Sequence, residues 1–350
     1  MEQLSSVTVL ITAAGNVYMP GTTACLKKNG EREIRLIGAD MNDDPTILKM
    51  CDAYYTVPRG DDPSYIRTLL KICRKEKVDI LLPIMSVELQ SLAENRALFL
   101  ETGTRVSVSD PEPIRIANDK QKLFQYLKNE GLPCANFQPV ESLEELIHAV
   151  RELGYPQKRV CVKKTDGSGS RGFRILDACV SKLDLFLHAK PNSAVIPLEE
   201  MVRILEEAEE FPHLLVMEYL PGHEYTVDLL ADRGSILCSC CRKSLNMENS
   251  IMLDGIVENK KSVLRLCEEV AERLSLDGNI GFDVRERADG VPVIMECNPR
   301  ITAGIPVFFE AGVNLPYLNI KRLLGEPLPE CRLRTGTVVK RRWIEMTVQT

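Results

Sequence analysis

Apolar and polar positions follow two periods along this chain. Val7 to Thr12 is a mostly β-branched run, then comes AAGNVYMPG, a helical stretch to Lys28, and a second apolar run from Ile34 to Ala39 that ends at Asp40. Short buried-type strands separated by helical stretches predict βαβ units. The alternation continues with a helix from Pro63 to Glu76, a strand from Val78 to Ile84, a helix from Val87 to Phe99 and a short strand from Val106 to Val108. This predicts an open, mostly parallel sheet. Ligands of such sheets gather beyond the carboxyl ends of strands, which makes Ser86 and Glu88 candidates for substrate contact. Gly15 and Gly21 do not form G-x-G-x-x-G, so the first turn reads as close packing of small residues and not as a dinucleotide site. Asp110-Pro-Glu-Pro ends the pattern and marks a boundary near residue 112.

Beyond it, Asn118-Asp119-Lys120 opens an amphipathic helix through Asn129, closed by Gly131 and Pro133. Val160 to Lys164 reads as a strand, and TDGSGSRG follows. Such a run of small residues suits a phosphate-covering flap or a plain hairpin turn, and it is not a Walker A loop. Ser181 to Glu210 is helix-rich and broken by prolines. Leu214 to Leu220 is a strand, and Tyr225 to Leu230 with Ser235 to Arg242 is a hairpin turning at Asp232-Arg233-Gly234. Val263 to Leu274 and Leu318 to Leu324 are helical, and the tail GTVVKRRWIEMTVQT reads as strands.

The stretch richest in chemistry is GFDVRERADGVPVIMECNPR, residues 281–300. Asp289-Gly290 predicts a two-residue hairpin turn with both central residues at positive φ. In that register Asp283 stands opposite Glu296. Phe282, Val284, Val291, Val293 and Met295 then take the core face; Asp283, Arg285, Arg287, Ile294 and Glu296 take the other, and Asn298 continues it. Facing carboxylates are unfavourable unless neutralised. A hard divalent cation would do this, and so would Arg285 and Arg287 on a solvated face; spacing leaves both open.

Glu296-Cys-Asn-Pro-Arg300 resembles the E-x-N-P-R signature of the ATP-grasp superfamily, and the order of the other segments is similar to its members related to the carbamoyl-phosphate synthase large chain. The resemblance implies an α/β and α+β fold: a Rossmann-like pre-ATP-grasp domain at 1–112, then a two-lobed ATP-grasp unit. Its small lobe with the glycine-rich flap would span 113–190 and its large lobe with the metal site 191–350. It implies that Asp283, Glu296 and Asn298 hold Mg²⁺ or Mn²⁺, and that Arg300 meets the transferring phosphate. Lys120 and Lys163 would face the ATP phosphates, although Lys164 stands where the family has proline. Gly167, Ser168, Gly169 and Ser170 would form the flap. Backbone groups of Glu218 and Leu220, with Tyr219 between them, would bind adenine, and Glu224 the ribose. Arg242, more than Lys243, would face phosphate or a substrate carboxylate, and Ile301 to Pro306 would line the cleft.

The implied activity is that of an ADP-forming ligase, which phosphorylates a carboxylate and passes the acyl phosphate to an amine. The alternatives are carboxyphosphate or carbamate phosphorylation, and ATP binding without turnover. Arg300, Lys163 and Arg242 would stabilise charge during transfer.

A net charge of −6 argues against a nucleic-acid or anionic-membrane partner. Lys340-Arg341-Arg342 reads as a solvated strand end. No apolar run approaches the roughly 20 residues of a membrane span, and MEQLSSVTVLI lacks the layout of a signal peptide. With 12 cysteines and no export signal, thiols packed in a cytoplasmic protein are the expectation. Cys238, Cys240 and Cys241 lack zinc-site spacing. The partners expected are small-molecule substrates and, by resemblance, a second copy in a homodimer.

Overall fold

The computed structural model describes residues 4–165, 172–189, 193–248, 251–342 and 346–347. Val7–Thr12 (β1), Ile34–Asp40 (β2), Ala53–Thr56 (β3), Ile80–Leu82 (β4) and Arg105–Val106 (β5) form a parallel sheet ordered β3-β2-β1-β4-β5. The first strand, VTVLIT, is almost wholly buried because both faces are covered. Val9 and Ile11 enter a core with Ile301, Phe308 and Leu315, while Leu10 enters another with Leu69, Leu89 and Phe99. The N-terminal sheet therefore shares a core with the residues that follow Arg300. The expected strands at 78–84 and 106–108 are shorter than their apolar runs, and Ala53–Thr56 is an added edge strand.

Phe137–Val140 (β6), Val160–Lys164 (β7), Phe173–Leu176 (β8), Val195–Ile196 (β9) and Leu214–Glu218 (β10) form a second sheet, ordered β6-β10-β7-β8-β9. β9 and β10 follow residue 190, so this sheet runs on to Glu218. β6, β9 and the helix Leu143–Glu152 beside this sheet were not anticipated; β9 interrupts the stretch expected to be helix-rich. Pro139 masks β6, and proline is tolerated there because β6 lies at the sheet edge. The helix Leu143–Glu152 carries a legible start signal, with the Ser142 hydroxyl accepting from the Glu145 N–H at 3.2 Å.

Glu224–Asp232 (β11), Ser235–Glu248 (β12), Ile251–Glu258 (β13), Gly278–Glu286 (β14), Pro292–Asn298 (β15) and Val338–Lys340 (β16) form an antiparallel sheet ordered β15-β14-β11-β12-β13-β16. The helix Lys261–Arg273 packs its apolar stripe, Val263, Cys267 and Val270, into the core beneath this sheet.

The β14–β15 hairpin differs from expectation in two compensating ways. Its loop has three residues, with the Arg287 N–H donating to the Val291 carbonyl at 2.9 Å. Gly290 alone takes positive φ, at 81°, and Asp289 does not. A β-bulge between Asp283 and Val284 then leaves Met295 without a ladder partner, which restores the pairing of Asp283 with Glu296. Ile294 is moved to the Val284 side and is fully buried, contrary to its expected place on the polar face.

The expectation of thiols throughout also needs correction, because Cys238 is disulfide-bonded to Cys331. Cys240 and Cys241 are buried free thiols on β12.

Candidate functional site

The register of the third sheet lines up Arg242, Thr226, Asp283 and Glu296 in one row across β12, β11, β14 and β15. Residues in register point to one face. The next row on that face is Cys240, Asp228, Gly281 and Asn298. Four expected site residues thus share one surface because of strand pairing alone.

Asp283 is half-buried. Burial first, and Glu296 second, push its carboxyl up to about 7, and Thr226 Oγ1 donates to it at 3.1 Å. Lys120, at the start of the helix Lys120–Asn129, lies 3.6 Å from the Glu296 carboxylate. Lys163 points to the same cluster: burial lowers its ammonium to about 8, opposed by Cys161 and Glu296 and aided by Lys120 and Arg285. Strand alternation turns Lys164 the other way, and it is exposed.

Arg300 links two parts of the molecule. Its Nη2 donates to Asn298 Oδ1 at 3.0 Å and its Nε to Ser86 Oγ, beyond β4, at 3.2 Å. Glu88 is a different case. It is 2% exposed and accepts from Thr12 Oγ1, the Tyr65 hydroxyl and the N–H groups of Ile84 and Met85. Its carboxylate is engaged in the fold and is not an open substrate contact.

At the link between the second and third sheets, the Glu218 carboxylate holds Arg287 at 2.8 Å and the Asn136 N–H at 2.9 Å. Its side chain is committed to the fold, so only backbone groups there are left for a ligand. Arg159 lies over the Tyr219 ring at 5.6 Å, and Leu220 is buried. Glu224 pairs with Arg285 at 2.6 Å. A cleft of about 1140 Å³ lies behind this link; of the expected site residues, Glu218 and Tyr219 line it, and the acids do not. Gly167, Ser168, Gly169 and Ser170 lie outside the described residues.

Two further residues belong to this surface. Asp228, fully buried, pairs with Arg242 at 3.3 Å and accepts from Thr302 Oγ1 at 2.6 Å. An acid in the middle of the apolar run YTVDLL was the available signal. Arg341 is half-buried and donates to the Ala303 carbonyl, which corrects its reading as a solvated strand end.

Two carboxylates and an amide oxygen, with Glu296 adding to the cost of ionising the buried Asp283, fit a hard divalent cation such as Mg²⁺. Among the described residues no group of three His, Cys, Asp or Glu side chains gathers as a metal site, so Asn298 is needed to complete the donor set.

Residues 210–346 match the family described as ATP-grasp in the biosynthetic pathway with Ter operon, and residues 9–107 match the PylC-like N-terminal domain. The carbamoyl phosphate synthase large chain of Methanothermobacter thermautotrophicus is 32% identical over 353 residues, covering 93% of this chain and 30% of that one. Across other such relatives the chain spans only 21% to 41% of their length. N5-carboxyaminoimidazole synthetase from Staphylococcus aureus, solved with ADP, superposes with a TM-score of 0.68 at 15% identity, covering 97% of this chain and 83% of that one. An L-amino acid ligase from Bacillus licheniformis gives 0.66 at 16%, covering 95% and 78%. These structural likenesses are ones of fold.

Proposed function

Because the chain is an ATP-grasp protein homologous to carbamoyl phosphate synthase large chains, we propose that it is an ADP-forming carboxylate–amine ligase. The observation that carries this reading is the facing pair Asp283 and Glu296, with Lys120 3.6 Å from Glu296 and Lys163 beside them. Acids to hold a cation, with cations to hold phosphates, are the parts phosphoryl transfer needs.

In this proposal Asp283, Glu296 and Asn298 hold Mg²⁺ or Mn²⁺. The ion would draw the ATP phosphates together and offset their charge. Lys120 and Lys163 orient the phosphates, and Arg300 meets the group in transfer. The substrate carboxylate is the nucleophile: its oxygen bonds to the γ-phosphorus as the bond to ADP breaks. The amine then attacks the acyl carbon, and phosphate leaves. No side-chain nucleophile is needed, so positioning and electrostatics carry the rate. Backbone groups at Glu218 and Leu220 bind the base, Glu224 the ribose, and Gly167, Ser168, Gly169 and Ser170 cover the phosphates.

A first boundary at 112, small-molecule partners, a homodimer and a cytoplasmic setting complete the proposal; the second boundary, expected at 190, moves past Glu218 because β9 and β10 belong to the second sheet. No helix among the described residues is long and apolar enough to cross a membrane.

The test is release of ADP and phosphate from Mg²⁺-ATP with pooled carboxylates and amines. Release that needs both substrates, and its loss in Glu296→Gln with the fold intact, supports the ligase. Release that needs bicarbonate points to carboxyphosphate formation, and nucleotide binding without release to a regulatory protein.

A further inference from the structure

The last strand brings another guanidinium to the face that carries the acids. In register, Val339 of β16 lies opposite Gly255 of β13, and Gly255 opposite Ser244 of β12. Ser244 is two residues from Arg242, so Val339 and Arg341 share the Arg242 face. The ladder reaches Arg341, whose N–H donates to the Leu253 carbonyl at 2.7 Å.

Arg242 and Arg341 grip one loop from two sides. A Cβ on Gly304 would fall 2.0 Å from Arg242 Nη2, so the loop backbone lies directly on that guanidinium, and Arg341 donates to the neighbouring Ala303 carbonyl. Arg242 is 5% exposed, and its Nε is buried with no hydrogen-bond partner. Asp228 is the carboxylate both arginines face, and it already accepts from Thr302. Among the described residues the buried Arg242 Nε has no hydrogen-bond partner, and Asp228 is shared by both guanidiniums, an arrangement that an added anion would stabilise.

We infer that Arg341 is a specificity-determining residue which, with Arg242, grips an oxyanion on the molecule that reacts beside Asp283 and Glu296. The inference rests on the ligase reading. The backbones of Arg242 and Asp283 stand two strand spacings apart, about 10 Å. The gripped group is therefore a second anion, set back from the carboxylate that takes the phosphoryl group. Carboxylate and phosphate ester share the chemistry that a planar guanidinium pair recognises.

The full chain, saturated with Mg²⁺-ADP, is titrated by calorimetry with L-amino acids, their amides, O-phosphoserine and inorganic phosphate. One oxyanionic probe should bind, with its amide or unphosphorylated counterpart at least about 10-fold weaker. Arg341→Ala should weaken that probe roughly 10- to 100-fold with Mg²⁺-ADP affinity unchanged, and Arg341→Lys should recover part of it. A preference for amino acids identifies a carboxylate, and a preference for O-phosphoserine a phosphate ester. The inference falls if no oxyanion binds, if Arg341→Ala holds it as tightly, or if the amide binds as well as the acid. Failure of the wild-type chain to bind Mg²⁺-ADP counts against the ligase reading, and the same titrations without nucleotide then decide the role of Arg341.

Discussion

Replacing Asp283 with Asn tests the facing acids directly. The carboxyl rises from 3.8 to about 7, mainly through burial and then through Glu296. That shift corresponds to at most about 4 kcal/mol between the ionised and neutral forms. A carboxyl with a raised pKa holds its proton more tightly in the folded state, so folding stability falls as pH rises. The loss runs from about pH 4 to about pH 7 and levels off above that. Asn cannot ionise, so Asp283→Asn should escape it. In urea unfolding with a chelator present, the wild-type protein should lose roughly 2–3 kcal/mol relative to the variant between pH 5 and pH 8. Adding Mg²⁺ and ADP at pH 8 should reverse the order, because a cation favours the ionised pair and the variant offers one carboxylate fewer. Stability curves that stay parallel from pH 5 to pH 8 would refute the reasoning, and so would equal gains from Mg²⁺-ADP.

Gly281→Ala should damage the site through packing. Its Cβ would sit 2.0 Å from Thr302 Cγ2 and 3.0 Å from Asp228 Oδ1, pushing the 301–306 loop off the sheet. A cost of about 1–3 kcal/mol in urea unfolding is expected, with loss of turnover. Glu326→Ala should act far from the site. It strips the partner at 2.6 Å from Arg32, whose side chain is fully enclosed, leaving the Tyr317 hydroxyl at 3.1 Å as its neighbour. Stability should fall by about 3 kcal/mol with Mg²⁺-ADP affinity unchanged, as followed by unfolding and calorimetry.

How much of this was legible in the sequence depended on whether local rules decided the outcome. The parallel sheet was legible because β1, β2 and β4 are apolar runs, a pattern that full burial produces. The pairing of Asp283 with Glu296 was legible for a subtler reason. An Asp-Gly turn fixes approximate register, and the extra loop residue is cancelled by the bulge at Met295. The same bulge made Ile294 unreadable, since one unpaired residue flips everything between it and the turn. β6 and the helix Leu143–Glu152 escaped notice through a proline and an overlooked cap. Arg341 was unreadable in principle: a basic tail residue looks solvated until the pairing of β13 with β16 decides which face it takes.

That last case shows why the N-terminal sheet and the C-terminal strand belong to the reacting surface, though neither carries a signature. Val9 and Ile11 bury against Ile301, Phe308 and Leu315, the residues that follow Arg300. This shared core fixes the end of β4 against the loop, which is how Ser86 reaches Arg300 at 3.2 Å. The Tyr18 ring, from the turn after β1, lies 5.9 Å from the Arg341 guanidinium. The 301–306 loop is thus held from the N-terminal sheet at one end and from the last strand at the other, with Arg242 beneath it. A change in either flanking part moves the loop relative to Asp283 and Glu296. The acids alone specify a phosphate-handling surface; what it accepts beside the phosphate is set where those three parts meet.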